Sequence, residues 1–431
     1  MVEQILFSAM LVVGIGLFVR SIRKIRRNIF LGRSKQINNQ KAERWKTMAL
    51  VALGQSKMVV RPLAGFFHIL IYAGFVLINI EVLEIVLDGV TGSHRIFAPV
   101  LGGVYHLAID FFEILAVLVM VACLVFLVRR LSGKPARLSS KLLKGWPHLD
   151  ALLILGIELV LMSALLLMNA AEGALPQSEA APYLVSGFIS PWFSGLSPAT
   201  LHLVERTAWW LHAVGILAFL NYLPFSKHFH IILAFPNVWY SKLEPKGKFP
   251  NHEAIKKEVE LMMNPSADNS GAQQQGEEVV KFGAKDVADL TWKQLLDAYA
   301  CTECGRCSSE CPANQTGKLL SPRKIMMDTR DRLEEVGKNI DKHGPDFTDG
   351  KSLLGDYITE EELWACTTCN ACTQACPVNI DPLSIIMDLR RELVLEQSKA
   401  PGALTAMFNN VENNGAPWPF SPADRSLWRQ S

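Results

Sequence analysis

The sequence predicts an all-α protein in two unlike halves, a bundle of five membrane-spanning helices followed by a helical soluble half. Three observations predict it. Half of the 431 residues are hydrophobic and only 19% are charged, yet every apolar run long enough to matter lies before about residue 235. Beyond Pro245 the chain turns polar and has no run able to cross a bilayer. Eight of the nine cysteines fall in two tight groups in that polar half, and the ninth, Cys123, lies in an apolar segment.

The five apolar segments are residues 5–19, 63–87, 101–128, 149–169 and 207–225. A spanning helix needs about 20 residues, so the first is at the short end. Its opening, MVEQ, carries no basic residue and no small-residue cleavage site follows, which reads as a retained helix and not a signal peptide. The loops alternate in charge. Residues 20–61 are densely basic, 88–100 carry only Arg95, 129–144 are basic again, and 170–200 contain neither Lys nor Arg. Lys227 and Lys242 follow the fifth segment. The positive-inside rule then places the N-terminus outside and the soluble half in the cytoplasm, in a multi-pass protein of the cytoplasmic (inner) membrane. Reduced cytoplasmic cysteines suit metal ligation better than disulfides. A net charge of +2 gives no basis for a nucleic-acid partner; membrane lipids are the expected surroundings.

Residues 40–60 are amphipathic and basic and are expected to lie along the inner membrane surface. The stretch NPSADNSGAQQQGEE after Met263 is too polar to pack a core and reads as a linker. The expected divisions are a membrane domain at 1–240, a linker at 241–285, a helical cysteine-bearing domain at 286–400 and a tail at 401–431.

The soluble half repeats itself. CTECGRCSSECP at 301–312 is echoed by CTTCNACTQACP at 366–377, each between two helix-like stretches. Both read C-x2-C-x2-C-x3-C-P, the spacing of a two-[4Fe–4S] domain in which the fourth cysteine crosses to the other cluster. Cys301, Cys304 and Cys307 then pair with Cys376, and Cys366, Cys369 and Cys372 with Cys311. A structural zinc site takes four ligands, usually as two separated C-x2-C pairs, and does not explain two complete sets of four.

A histidine facing lipid is costly, so one at membrane depth is a functional candidate. His68, His106 and His212 lie within the second, third and fifth segments, and His230 just beyond. At 3.6 residues per turn, His212 and His230 share one face about 27 Å apart, whereas His228 lies about 160° from His212. The depths pair His68 with His230 near the inner surface and His106 with His212 near the outer. One or two haems b, each held by two histidines, follow; the alternative is histidines that hydrogen-bond between helices or bind quinone. His94, His148 and His202 sit at loop boundaries and read as surface groups. Glu81, Glu84, Asp110, Glu113 and Glu158 are candidates for proton or quinone binding, with paired charges near helix ends as the plainer reading.

The phrase PFSKHFH at 224–230, with His212 upstream, resembles the end of the membrane gamma subunit of respiratory nitrate reductase. That resemblance implies five helices, two haems b and quinol oxidation. His230, His212 and His68 match ligands of that family, while its fourth ligand falls near Ile78, which cannot ligate, so the outer haem depends on His106. The soluble half resembles the two-cluster, ferredoxin-like subunit of heterodisulfide reductase. The tail, NNVENNGAPWPFSPADRSLW, is similar to the stretch where longer relatives continue into a cysteine-rich CCG domain, which implies a separate CCG-type catalytic partner or another soluble oxidoreductase.

No hydrolytic triad motif, phosphate loop or nucleotide fingerprint stands out, and no catalytic residue is assigned. The expected function is a quinone-linked oxidoreductase subunit passing electrons between a membrane (mena)quinone pool, haem b and two clusters, to or from that partner; the cofactors carry the chemistry. The alternatives are a membrane-anchored iron–sulfur redox sensor and a haem-free ferredoxin anchor.

Overall fold

The structure, a computed structural model, describes residues 1–176, 183–249, 251–264 and 281–429. Its longer helices are α1 (Val2–Ile29), α2 (Lys41–Met48), α3 (Pro62–Thr91), α4 (Gly103–Leu131), α5 (Trp146–Gly173), α6 (Pro198–Tyr222), α7 (His230–Trp239) and α8 (Glu253–Met263). Then come α9 (Trp292–Tyr299), α10 (Pro322–His343), α11 (Glu360–Trp364), α12 (Pro382–Arg391) and α13 (Gly402–Asn414). Among the described residues there is no strand beyond two isolated bridges, so the all-α expectation holds.

Five helices are long and apolar enough to cross a membrane: α1, α3, α4, α5 and the stretch Pro198–Phe225. They close into a ring, with α1 against α3 and α6, α3 against α4, α4 against α5, and α5 against α6. Small residues let the helices approach: Gly74 of α3 has no room for a Cβ against Val119 of α4, and Gly215 of α6 none against Leu161 of α5.

The bundle's polar caps are unlike. One end carries the basic loops and seats the soluble half. At the far end Arg95 donates to Glu172 at 2.5 Å, to Asn169 at 2.7 Å and to the Tyr105 hydroxyl at 3.1 Å. Tyr105 in turn donates to Glu84 at 2.7 Å, and Glu113 accepts from Asn169 and from the Val185 and Ser186 amides. Asp110 accepts from the Leu184 amide. Glu84, Glu113 and Asp110 thus accept hydrogen bonds from backbone amides, a tyrosine hydroxyl and an asparagine amide. His94 reaches Glu172 at 2.9 Å from a half-exposed position.

One expectation needs correction. The first apolar run ends near Val19, but α1 continues ten residues further, because Arg and Lys end a hydropathy run without ending a helix. These extra turns leave the bundle and enter the soluble half: Ile25 and Ile29 share its core, Asn28 donates to the Tyr299 hydroxyl at 3.0 Å, and Lys24 pairs with Asp341 at 2.6 Å. The basic segment after α1 packs against α7, with buried Arg44 donating to the Trp239 and Ser241 carbonyls. The region expected as a linker contains α8; beyond Asn264 it lies, to residue 280, outside the described residues.

The soluble half is a doubled unit. Thr291 caps α9 in a capping box with Gln294, and Thr359 caps α11 in one with Glu362. After each cysteine motif a capped helix starts on proline, Ser321–Pro322 for α10 and Asp381–Pro382 for α12. Lys293, buried, joins this half to α7 by donating to Asn237 at 3.0 Å and to Asp297 at 2.7 Å.

Candidate metal centres

Each cysteine motif turns through two residues in the left-handed region, at the third and fifth positions. These are Glu303 (φ 54°) and Gly305 (φ 70°) in the first, Thr368 (φ 56°) and Asn370 (φ 60°) in the second. Gly and Asn tolerate that conformation best. The pair of turns wraps three thiols of a motif around one side of a common space, and the fourth, before the proline, points across the repeat. Cys311 shares a small void with Cys366, Cys369 and Cys372. Cys307 lies near Cys301, Cys304 and Cys376, and also near Cys372 of the second motif, and Cys376 lies near Cys304. The structure therefore brings Cys311 to the three cysteines of the second motif.

Burial pushes the Cys301, Cys372 and Cys376 thiols up to about 12, with Cys307 and Cys366 moved the same way. Thiols in such surroundings ionise only when a bound cation compensates the charge. Among the described residues no group of three or more His, Cys, Asp or Glu closes on a point suited to a single ion. Four thiols lining one void suit a cubane.

The histidines are rearranged relative to the helical count. The fifth span stops at Tyr222 and two 3-10 turns, Leu223–Phe225 and Lys227–Phe229, separate it from α7. Pro224 and the Ser226 hydroxyl, which accepts from the His228 amide at 3.0 Å, set this break. The separation of about 27 Å and the turning of His228 away both assumed an unbroken helix, and the helix is broken. His228 and His230 lie with ring centroids 5.4 Å apart, and both face His68. Burial lowers the basicity of both rings, that of His228 to about 3, which keeps them in the neutral form that ligates iron. His230 donates from Nδ1 to the Lys227 carbonyl at 3.0 Å, the arrangement that leaves Nε2 open to a metal. His68 Nδ1 is buried without a partner.

His212 also bonds through Nδ1, to the Leu161 carbonyl at 2.8 Å, and faces a cavity lined by Gly74, Ile78, Val119, Glu158 and Met162 among others. His106 is not there. It stands beside Tyr105 and Tyr183 at the far end, thirteen residues (about 20 Å) along α4 from Val119. The His106–His212 pair is therefore not formed: the depth of each was judged from the ends of apolar runs, and Ile78 occupies the place facing His212. Among the described residues His106 does not line the cavity that His212 faces. Glu81 at the far end is buried with neither carboxylate oxygen partnered.

Comparison with known proteins agrees on the soluble half. Residues 297–380 match the family model of the 4Fe-4S dicluster domain. The chain thus carries two [4Fe–4S] clusters on a helical domain behind its membrane helices. It is 30% identical, over 99% of its length and 61% of the relative's, to the "Probable iron-sulfur-binding oxidoreductase FadF" of Bacillus subtilis. It is 27% identical to the "EtfAB:quinone oxidoreductase" of Syntrophomonas wolfei, over 91% of this chain and 54% of that protein. A 34% match to a heterodisulfide reductase subunit of Methanosarcina acetivorans spans 27% of this chain and 60% of that relative. The chain spans about three fifths or less of the curated relatives it matches first. No solved structure matches it significantly. These relatives are named as iron–sulfur oxidoreductases and heterodisulfide reductase subunits, and the chain is similar to them.

Proposed function

We propose that this chain is the membrane subunit of a quinone-linked respiratory oxidoreductase. Electrons pass between a soluble partner, the two clusters, one haem b at the cluster end of the bundle and a membrane quinone. One observation carries the reading: the histidine turn and the first cysteine loop are tied to each other. Lys227, whose carbonyl orients His230, donates through Nζ to Glu303 at 2.5 Å, and Glu303 sits between Cys301 and Cys304. Arg306, between Cys304 and Cys307, faces His68.

When bound, clusters and haem supply one-electron chemistry; the chain supplies positions. Cys301, Cys304, Cys307 and Cys376 would hold the cluster nearer the membrane, and Cys311, Cys366, Cys369 and Cys372 the outer one. His68 and His230 would hold the haem iron. The nitrate-reductase-gamma resemblance supports haem and quinone, and the relative named EtfAB:quinone oxidoreductase supports the quinone and a soluble redox partner. The heterodisulfide reductase subunit relatives support a partner among other oxidoreductase subunits, and exposed Phe408, Trp418 and Phe420 support a docking role for residues 401–431. The basic loops put this end in the cytoplasm.

A purified, full-length protein should show b-type haem bands that menaquinol reduces, with the cluster signals following. A protein that exchanges electrons with quinone and contains no haem would remove the haem from this path. Cleavage of the soluble half by protease outside right-side-out vesicles would reverse the orientation.

A further inference from the structure

The two cluster sites share a motif and a backbone geometry but not an electrostatic environment. Backbone hydrogen bonds to sulfur are similar in both: the Ile380 amide donates to Cys376 Sγ at 3.3 Å and the Thr368 amide to Cys366 Sγ at 3.4 Å. Charge is not similar. Around the first set, Arg137 donates from Nε to the Cys304 carbonyl at 3.0 Å, and Arg323 donates to the Arg137 carbonyl at 2.8 Å while facing Cys301, Cys304 and Cys307. Arg306 donates to the Lys57 carbonyl at 2.9 Å and faces Cys304 and Cys376; Lys57 donates to the Cys376 carbonyl at 3.0 Å; Arg330 faces Cys301. The carboxylate in this group, Glu303, is held by Lys227 and by Arg330 at 2.9 Å. Around the second set stand Arg390, which donates to the Leu363 and Cys366 carbonyls at 2.5 Å, and Asp381, which faces Cys372. These two charges offset one another.

Reducing a thiolate-ligated cluster adds negative charge, so net charge, hydrogen bonds to sulfur and solvent exposure set its potential. Hydrogen bonding separates the sites little, the second gaining one long contact between the Thr373 hydroxyl and Cys372 Sγ at 3.9 Å. Exposure favours reduction at the second, where Cys369 is at the surface. Charge favours the first, and there Arg306 and Arg323 are buried, 6% and 2% exposed, where water screens them least. Several buried, uncancelled cations outweigh one exposed ligand.

We propose that Arg137, Arg306, Arg323 and Arg330, with Lys57, hold the first-motif site at a higher reduction potential than the second-motif site, polarising the chain for electrons that enter at the second motif and leave toward the histidine end of the bundle. An electron passing inward oxidises the second site by one unit and reduces the first by one, with no bond made or broken. Arg137 and Lys57 belong to loops of the membrane half, so part of this difference is created by the seating of the soluble half on the bundle. The proposal rests on the two-cluster reading alone and needs neither haem nor quinone.

The test is a redox titration of the full-length protein in detergent, without quinone, followed by electron paramagnetic resonance. Cys304→Ser and Cys369→Ser identify which signal belongs to which site. Two midpoints are expected, the first-motif one higher. Arg323→Gln and Arg137→Gln should each lower the reduced-to-oxidised ratio of the first site about tenfold at a fixed poise, about 59 mV for a one-electron couple. Neither should move the second site more than about twofold, Arg390→Gln should move only the second, and Arg137→Lys should restore the first. Should Arg323→Gln lose iron, Arg137→Gln decides, since it leaves every residue of the cluster domain intact. Equal midpoints, a higher second site, or equal shifts at both sites would overturn the proposal.

Discussion

Both ends of the five-helix bundle bury polar groups, but the partners of those groups differ. At the far end Arg95, Glu172, Asn169, Glu113, Tyr105 and Glu84 satisfy one another within the membrane half. At the cluster end the bonds cross between halves: Lys227 to Glu303, Arg137 to the Cys304 carbonyl, Lys293 to Asn237, Asn28 to Tyr299. A network closed on itself stabilises its own layer and transmits little. A network that crosses fixes the geometry between cofactor sites, which an electron carrier requires. The far end departs from closure at Glu81, the buried carboxyl there whose two oxygens find no partner.

The largest effect expected is on the cluster side. Cys311→Ser should abolish the second-motif cluster and leave the first, lowering iron from about eight to about four per chain. Loss of the first-motif signal instead would show that the fourth ligands do not cross. Next in size, His68→Ala or His230→Ala should remove the haem bands, whereas His228→Ala should shift them without removing them. Bands that survive His230→Ala but vanish with His228→Ala would exchange the two ligands.

At the far end, Arg95→Ala leaves Glu172 buried beside only half-exposed His94, an uncompensated charge costing about 3–5 kcal/mol. A matching fall in thermal stability is expected with both cluster signals unchanged; altered cluster signals would show that the two ends are coupled after all. The smallest effect belongs to the rim. Asp341→Asn removes ion pairs to Lys24 and Arg27 whose side chains are about a third to a half exposed, worth about 0.2–1 kcal/mol. Amide exchange in α1 beyond residue 20 should rise only slightly, and full exposure there would show that these pairs, not the apolar core, seat the soluble half.

What was legible in the sequence was local. Ligand spacing repeats within twelve residues, so the cysteine sets and the helices flanking them could be read directly, as could five apolar runs. What depended on the meeting of distant elements was not. The count that turned His228 away ran through Pro224, where two 3-10 turns reset the phase. The pairing of His106 with His212 took depth from apolar-run ends, while the packing of Gly74 on Val119 sets the true level. The interlock of the halves was invisible because Ile25 and Ile29, among arginines and lysines, carry no mark of the core they join.

The last turns of α1 bear on the order of assembly. Lys24 and Asp341, brought together at 2.6 Å, are separated by 317 positions in the chain. A ribosome has released this helix long before its counterpart exists, so its last two turns wait, unpartnered, through most of synthesis. Contacts of such high sequence separation form late, after the units they join have folded. The seating of the soluble half is then a closing event and not an early one, and the basic loop residues that surround the first cysteine motif take up their places only at that moment.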